Sequence, residues 1–344
     1  MSESLHVAPL FALSALNRDE LDLAPTRPHH YSPAKPLMTH FDRYLDYLRS
    51  HHRTAHAQLQ DWLHSEVDLP QLLVHLDCLK TKLDSFRPLP SSVVAELKSR
   101  FDVRFTYNSN AIEGNTLTQN ETEMVVRSGI TIAGHPLVEH LEAIGHAQAI
   151  DYLEALAGEE AMGEREIREL HGLILRSIDP RTAGVYRSVD VKAAGTDHEY
   201  PSHFLVRELM AEFHQWLQAS DNLHPVEQAA LAHLEFVAIH PFADSNGRTA
   251  RLLMNLLLLR AGYSIAIIAN TQREAYIDAI AKRWRSPVTH QTGGESEAFT
   301  RLVAQSVQET LIESIAVAST ALECRDRGDA FYDWVATKIN GEKG

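Results

Sequence analysis

The stretch that decides the fold is residues 240–251, which read His-Pro-Phe-Ala-Asp-Ser-Asn-Gly-Arg-Thr-Ala-Arg. It lies between two strongly apolar segments, residues 226–239 before it and residues 252–259 after it. Helices that are apolar on nearly every face are buried in a protein core. A short polar loop between two such segments therefore predicts a site for charged groups inside a helical protein.

The residues of this loop are suited to holding phosphate. The pair Asn246-Gly247 readily takes left-handed backbone angles, and just before a helix it directs backbone N–H groups into one concavity. Arg248 and Arg251 are three positions apart, so both lie on one face of the first helical turn and can bind further oxygens. The pattern predicts an anion site, most plausibly for phosphate.

Two further residues of the loop supply chemistry. Asp244 offers the hard oxygen ligand that Mg²⁺ takes beside a polyphosphate. His240 ends the preceding helix, and the ordinary pKa of imidazole suits a general base near neutral pH. With Phe242 anchoring the loop in the core, these residues predict transfer of a phosphate-containing group from a magnesium-bound nucleotide to a hydroxyl.

The rest of the chain indicates an all-α protein with one short β-hairpin, preceded by a small helical N-terminal domain. Apolar residues recur three and four positions apart through most of the chain, whereas residues 184–199 follow a strand-and-turn pattern. Helices are predicted at about 41–67, 70–83, 91–112, 118–128, 137–157, 164–178, 202–219, 225–240, 249–262, 271–284, 295–322 and 328–339.

These patterns divide the chain into four parts. Residues 1–38 are rich in proline and histidine and are predicted to be an arm or linker. Residues 39–95 form the helical N-terminal region, and residues 96–325 form the core that contains the loop. Residues 326–344 form a C-terminal helix and tail.

Composition disfavours several classes of function. The 344 residues carry a formal charge of −14 and contain no long run of lysine and arginine, which disfavours nucleic-acid binding. Cys78 and Cys324 lie far apart and have no metal or redox spacing, as is usual in a reducing compartment. Without a basic-then-apolar leader or a bilayer-length apolar run, we expect a cytoplasmic protein with no membrane segment.

The loop closely resembles the signature of the Fic family, H-x-F-x-(D/E)-G-N-G-R-x-x-R, with Ser245 where the family usually has glycine. The similarity covers about residues 100–310 and includes His224-Pro-Val-Glu227, Arg251-Leu-Leu-Met-Asn255, Asp179-Pro180 and Gly184-Val-Tyr-Arg187. This resemblance implies a Fic fold and, most commonly, transfer of AMP from ATP to a Ser, Thr or Tyr hydroxyl of a target protein.

The resemblance also implies a role for each residue of the loop. His240 is the general base, Asp244 is the Mg²⁺ ligand, and Arg248 and Arg251 hold the outer phosphates. The backbone amides of Ser245, Asn246 and Gly247 hold the region of the α-phosphate. The hairpin is similar to the family's flap, whose edge can hold a target segment by strand addition. The resemblance implies two further sets of nucleotide contacts. Ala193, Ala194, Gly195 and Thr196 in the flap would contact the nucleotide, and Tyr276 would contact its nucleobase.

A second stretch, Ser109-Asn-Ala-Ile-Glu113-Gly-Asn, resembles the inhibitory motif of the same family, (S/T)-x-x-x-E-(G/N). Ser109 and Glu113 are four positions apart and share one face of a helix predicted at about residues 100–114. The resemblance assigns Arg251 as the partner of Glu113. An occupied Arg251 would keep the γ-phosphate of ATP out of its productive position.

We therefore predict an autoinhibited protein adenylyltransferase that uses ATP and Mg²⁺. Its target is another protein or the enzyme itself, and a homodimer is an open alternative to a monomer. Two other enzymatic functions stay open, namely removal of AMP and transfer of another phosphoryl-containing group. A different class also stays open, a toxin–antitoxin or transcription-linked regulator in which this core is secondary.

Overall fold

The structure is a computed structural model that describes residues 67–158, 163–192, 199–220, 222–284 and 295–341. Several sequence-based predictions lie outside these residues. They are the arm at 1–38, residues 39–66 of the N-terminal region, and the four flap residues Ala193, Ala194, Gly195 and Thr196.

The described residues are mostly helical, as the sequence predicts. The α-helices are α1 (Leu69–Asp84), α2 (Ser91–Ile112), α3 (Gln119–Ser128), α4 (Leu137–Ala157), α5 (Glu164–Leu175), α6 (Val206–Ala219), α7 (Pro225–Ile239), α8 (Asn246–Arg260), α9 (Arg273–Trp284), α10 (Glu297–Thr320) and α11 (Arg325–Gly341). Short 3₁₀ turns precede α6, α9 and α11.

Local signals set several helix ends. The predicted capping box is present at α3, where the Thr118 hydroxyl accepts from the backbone N–H of Glu121 and the Glu121 carboxylate accepts from that of Thr118. At α7, Pro225 occupies the first helical position, where its missing N–H costs nothing. These caps explain why the predicted starts of both helices agree with the structure.

Helix α8 lies at the centre of the fold. It packs along α7 on one side and against α4 on another. Its leucines at 252, 253, 256, 258 and 259 are all at most 1% exposed. Burying each leucine contributes roughly 2 kcal/mol relative to exposure. The two helices that flank the polar loop are therefore both deeply buried, and they give the loop a rigid base.

Helix α1 belongs to the same hydrophobic core. It packs on α10 and buries Leu72, Leu76 and Leu79 against it. The described part of the predicted N-terminal region, from residue 67 onward, thus shares its core with the helices around the loop.

Within the described residues, the hairpin predicted at 184–199 is not shown as two strands. Residues 184–192 and 199–220 contain no β-strand, and only an isolated antiparallel bridge joins Lys192 to Glu199. The carbonyl groups of Val189 and Pro201 accept hydrogen bonds from the buried guanidinium of Arg187. Arg187 thus links the described stretches on either side of residues 193–198.

Among the described helices, none is both long and apolar enough to cross a bilayer.

Candidate active site

The polar loop is a tight turn with two left-handed residues, His240 (φ 51°) and Ser245 (φ 59°). The sequence suggested this geometry at Asn246-Gly247 and a start of α8 at 249, and both details are wrong. Asn246 is instead the first residue of α8, and its side-chain amide accepts from the N–H and donates to the C=O of Phe242, both at 2.9 Å. These two bonds close the turn, so the helix begins three residues early.

Phe242 anchors the loop, as predicted. Its ring is fully buried and stacks on the imidazole of His171 with 3.6 Å between centroids and 4° between planes. His171 accepts from the N–H of Gly184 at Nδ1 and therefore donates to the carbonyl of Asp244 at Nε2, 3.1 Å away. Burial lowers the pKa of His171 to about 4, which keeps this ring neutral.

His240 caps the C-terminus of α7, and its backbone N–H donates to Phe236. Its Nδ1 lies 3.3 Å from the carbonyl oxygen of Val237. Because a carbonyl can only accept, Nδ1 carries the proton, and the neutral imidazole then has its lone pair on Nε2. The ring stacks on Tyr200 with 3.9 Å between centroids, and the carbonyl oxygen of His240 accepts from Arg187 Nε at 2.8 Å.

Asp244 is exposed at the outer edge of the loop. One oxygen of its carboxylate accepts from the backbone N–H of Ser245 at 2.6 Å, which fixes the direction of the group. Across the described parts of the chain, no cluster of three or more His, Cys, Asp and Glu residues could hold a metal ion. A metal at Asp244 would therefore depend on oxygens from another molecule for most of its ligands.

Arg248 is buried and held on two sides. Its Nη1 donates to the carboxylate of Glu142 on α4 at 2.9 Å, and its Nη2 donates to the Ser245 hydroxyl at 2.7 Å. The hydroxyl bond offsets the cost, about 1 kcal/mol, of a left-handed angle at a residue other than glycine. In this chain, the bond to Arg248 thus compensates for having serine where the family signature has glycine.

Arg251 is almost completely buried, at 1% exposure. Its Nε donates to the Ser109 hydroxyl at 3.0 Å, and its Nη1 donates to the Tyr276 hydroxyl at 2.9 Å. Its Nη2 donates both to the Ser109 carbonyl and to the Glu113 carboxylate, at 2.8 Å each. A guanidinium has five N–H donors, so four of them are engaged by residues of this chain.

Glu113 follows the last residue of α2 and places its carboxylate over the first turn of α8. A Cβ atom added to Gly247 would lie only 2.5 Å from Glu113 Oε1. Burial by itself would raise the pKa of Glu113, but the charge and hydrogen bond of Arg251, helped by Arg248 and Arg273, outweigh it and hold the pKa below its ordinary value. The anion site predicted at the start of α8 is thus next to a carboxylate of the same chain.

Tyr276 lies beneath Arg251. It is 2% exposed, and its hydroxyl contacts both Arg251 Nη1 and His233 Nε2, each at 2.9 Å. Burial and the charge of Arg251 lower the pKa of His233 far below its usual range, so this imidazole is neutral. The predicted contact between Tyr276 and the nucleobase stays a prediction, since the bonds to Arg251 and His233 engage only the hydroxyl.

The structure also brings residues to the site that the sequence did not single out. Glu142 bridges Arg248 and the side-chain amide of Asn115, and Tyr200 lies on His240. In the sequence, Arg187 was named only as the last residue of the family-like stretch Gly184-Val-Tyr-Arg187 and was given no role. No local sequence pattern predicts these contacts of Glu142, Tyr200 and Arg187. The contacts join residues that are far apart in the chain, by 106 positions for Arg248 and Glu142.

The sequence of this chain is similar to those of known proteins over the region that contains the loop. The profile of the Fic/DOC family matches residues 161–258. The chain is 35% identical over 242 residues to a protein of Nematostella vectensis named protein adenylyltransferase Fic, covering 69% of this chain and 54% of that protein. It is 35% identical to the Drosophila melanogaster protein of the same name, covering 69% of this chain and 47% of that one. The chain thus spans about half the length of these curated relatives.

Two solved structures share the fold. Fic-1 from C. elegans superposes with a TM-score of 0.63 at 29% identity, over 72% of this chain and 71% of that one. A Fic domain containing signaling protein from Bacteroides thetaiotaomicron gives a TM-score of 0.64 at 28% identity, over 71% of this chain and 96% of the other. Taken with the profile match across the loop, these similarities show that the chain belongs to the Fic/DOC family.

Proposed function

We propose that this protein is an autoinhibited protein adenylyltransferase that transfers AMP from ATP to a Ser, Thr or Tyr hydroxyl of a target protein. The observation that carries the proposal is the contact between Glu113 and Arg251, 2.8 Å, over the start of α8. It joins the carboxylate of the proposed inhibitory motif to Arg251, on the helix that follows the turn beginning at His240. The curated relatives named protein adenylyltransferase Fic support the choice of reaction.

In the proposed reaction, Nε2 of His240 accepts the proton of the target hydroxyl. The oxygen then attacks the α-phosphorus of ATP, a new P–O bond forms, and the bond to the β-phosphate oxygen breaks. Pyrophosphate leaves with the electron pair of that bond. The first backbone N–H groups of α8 have no carbonyl partner within the helix and are suited to stabilising the negative charge on the α-phosphate.

Asp244 fits a role as a Mg²⁺ ligand. Mg²⁺ commonly binds one or two carboxylates and takes its other ligands from phosphates and water, and Asp244 is an exposed carboxylate whose orientation is fixed by Ser245. Bound there with ATP, the ion would supply charge neutralisation at the leaving pyrophosphate. Asp244 would hold the ion, and Arg248 would orient the triphosphate.

The inhibition follows from the bonds of Arg251. Ser109 and Tyr276 hold three of its N–H donors, and the carboxylate of Glu113, which lies beside Gly247, accepts from the other N–H of Nη2. A γ-phosphate can bind this N–H only by replacing the carboxylate. We infer that ATP in this state binds weakly or in an unproductive position, and that loss of Glu113 relieves the block.

The test compares Glu113→Gly with wild type in the presence of Mg²⁺ and ATP that carries radiolabel on the α- or the γ-phosphate. We expect Glu113→Gly to incorporate α-label into itself or an added protein mixture at least ten times faster. Adding His240→Ala to this variant should abolish the incorporation. Glu274→Gly is the matched control, since it removes an exposed carboxylate of α9 and should behave as wild type.

Intact-mass spectrometry of the product defines the transferred group. Addition of one AMP supports the proposal, and parallel incubations with CTP, GTP and UTP define the nucleotide that the site accepts. Incorporation of the γ-label in place of the α-label would overturn the proposed reaction in favour of phosphoryl transfer. Equal α-label incorporation by wild type and Glu113→Gly would remove the inhibitory role of Glu113.

A further inference from the structure

Arg187 is a buried arginine whose hydrogen bonds converge on the main chain around His240. Its side chain has no exposed surface. Its Nε donates to the carbonyl oxygen of His240 at 2.8 Å, its Nη1 to that of Val189 at 3.1 Å, and its Nη2 to that of Pro201. Its own backbone N–H donates to Pro241 at 3.0 Å. One side chain therefore joins the segment before the flap, the segment after it, and the end of α7.

The carbonyl of His240 needs such a donor. His240 has left-handed backbone angles and follows the last residue of α7, where the carbonyl groups have no N–H partner within the helix. A cation is also favourable at this end of a helix because of the helix dipole. Burial lowers the pKa of Arg187, with the charge of Asp190 opposing this effect, and a guanidinium still stays charged at neutral pH.

Tyr200 holds the other side of His240. Its ring stacks on the imidazole with 22° between the planes, and the next residue, Pro201, is the one bound by Arg187. Burial, followed by the charge of Glu113, raises the pKa of Tyr200 to about 12, so the phenol is neutral. Arg187 thus fixes both the main chain that carries the imidazole and the segment that carries the stacking ring.

We propose that Arg187 and Tyr200 are positioning residues that keep Nε2 of His240 directed at the attacking hydroxyl. This inference rests on the proposed function, in which His240 is the general base. Arg187 fixes the backbone at His240, and Tyr200 fixes the plane of its ring. Because a displacement of about 1 Å at a reacting group can cost on the order of a hundredfold in rate, loss of either residue lowers kcat. Neither is needed to bind the triphosphate, so the affinity for ATP does not change.

The test uses the Glu113→Gly background, with transfer of α-label from ATP as the assay. Tyr200→Leu, which removes the stacking ring, should lower kcat about 10- to 100-fold and leave KM for ATP within about twofold. Tyr200→Phe keeps the ring and should restore kcat to within about threefold. Arg187→Lys keeps the charge but cannot reach three carbonyls, so it should also lower kcat at unchanged KM.

Arg168→Lys is the matched control for Arg187→Lys. Arg168 donates to the carbonyl of Gly184 at the start of the same segment, so its replacement perturbs that segment through another contact and should leave kcat unchanged. Melting temperatures confirm that each variant is folded. A Tyr200→Leu variant that keeps the kcat of its parent, or loses kcat and ATP affinity in proportion, would overturn the proposal.

Nitrogen-15 NMR of the histidine side chains separates this inference from the proposed function. In wild type and Tyr200→Phe, the His240 signals should report one tautomer with the proton on Nδ1, whereas Tyr200→Leu should give signals averaged over both tautomers. This readout needs no activity. If the Glu113→Gly background transfers no AMP but the NMR pattern holds, the proposed function fails and the positioning of His240 stands. Identical His240 signals in all three proteins would refute the positioning role.

Discussion

The contact between Glu113 and the start of α8 makes a sharp prediction at Gly247. Gly247 has ordinary helical geometry, because it is not among the residues with positive φ, and alanine is therefore allowed there by the backbone. A methyl group at this position would come within 2.5 Å of Glu113 Oε1 and 3.3 Å of Arg251 Nη1. Gly247→Ala should thus displace the carboxylate from the arginine.

The magnitude follows from two opposing effects. Alanine in a helix is favoured over glycine by about 0.5–1 kcal/mol. The Glu113–Arg251 pair joins a side chain that is 2% exposed to one that is 38% exposed, so its loss should cost about 1–2 kcal/mol, between the values for surface and buried pairs. Gly247→Ala should therefore destabilise the wild type by about 0–1.5 kcal/mol. In Glu113→Ala, where no carboxylate is displaced, the same change should be neutral or stabilising.

A double-mutant cycle in urea measures this difference. The four proteins are wild type, Gly247→Ala, Glu113→Ala and the double variant, and the coupling energy should be about 1–2 kcal/mol. Equal effects of Gly247→Ala in the two backgrounds would show that Glu113 does not occupy the start of α8 in solution. Such a result would refute both the contact and the inhibition derived from it.

Three further predictions concern the two arginines. Ser245→Ala should destabilise the protein by about 1–2 kcal/mol in urea, since it removes the charge-assisted bond to Arg248, and Ser245→Gly should be about 1 kcal/mol milder because glycine tolerates the left-handed angle. Tyr276→Phe should cost about 1–3 kcal/mol, because it leaves a buried N–H of Arg251 without its acceptor. The pKa of Glu113 is lowered in the folded protein, so the stability it contributes is present above its ordinary pKa of 4.5 and is lost as the pH falls through the folded value. The test is the difference in unfolding free energy between wild type and Glu113→Ala, measured in urea at several pH values. This difference should be constant near neutral pH and shrink only below pH 4.5. A decline between about pH 8 and about pH 6 would contradict the lowered pKa.

The sequence predicted the helices well because their signals are local. Most predicted bounds agree with the structure within about three residues, and the capping box at Thr118 is present. The start of α8 was predicted too late because the sequence shows no sign that Asn246 bonds back to Phe242. The hairpin at 184–199 stays a prediction, since residues 193–198 lie outside the described residues and the described flanks show one isolated bridge.

The candidate site was predictable where its residues share a short stretch. His240, Asp244, Arg248 and Arg251 follow one another in one loop, and Ser109 and Glu113 share one helical face. The residues that hold them in place come from elsewhere in the chain. Their contacts depend on how α4, α9 and the described residues 187–192 and 199–201 pack around the loop, which periodicity does not specify. Tyr276 illustrates this point, because its position along α9 gave no sign that it lies beneath an arginine.

The burial of Arg251 gives a physical reason for a carboxylate beside it in this fold. A charged group removed from water is costly unless an opposite charge and hydrogen bonds compensate it. Ser109 and Tyr276 supply neutral acceptors, and Glu113 supplies the negative charge. In the proposed reaction, the γ-phosphate would bring a charge of the same sign to the same edge of the guanidinium. In the proposed function, the carboxylate and the nucleotide would therefore satisfy one requirement of the fold in turn.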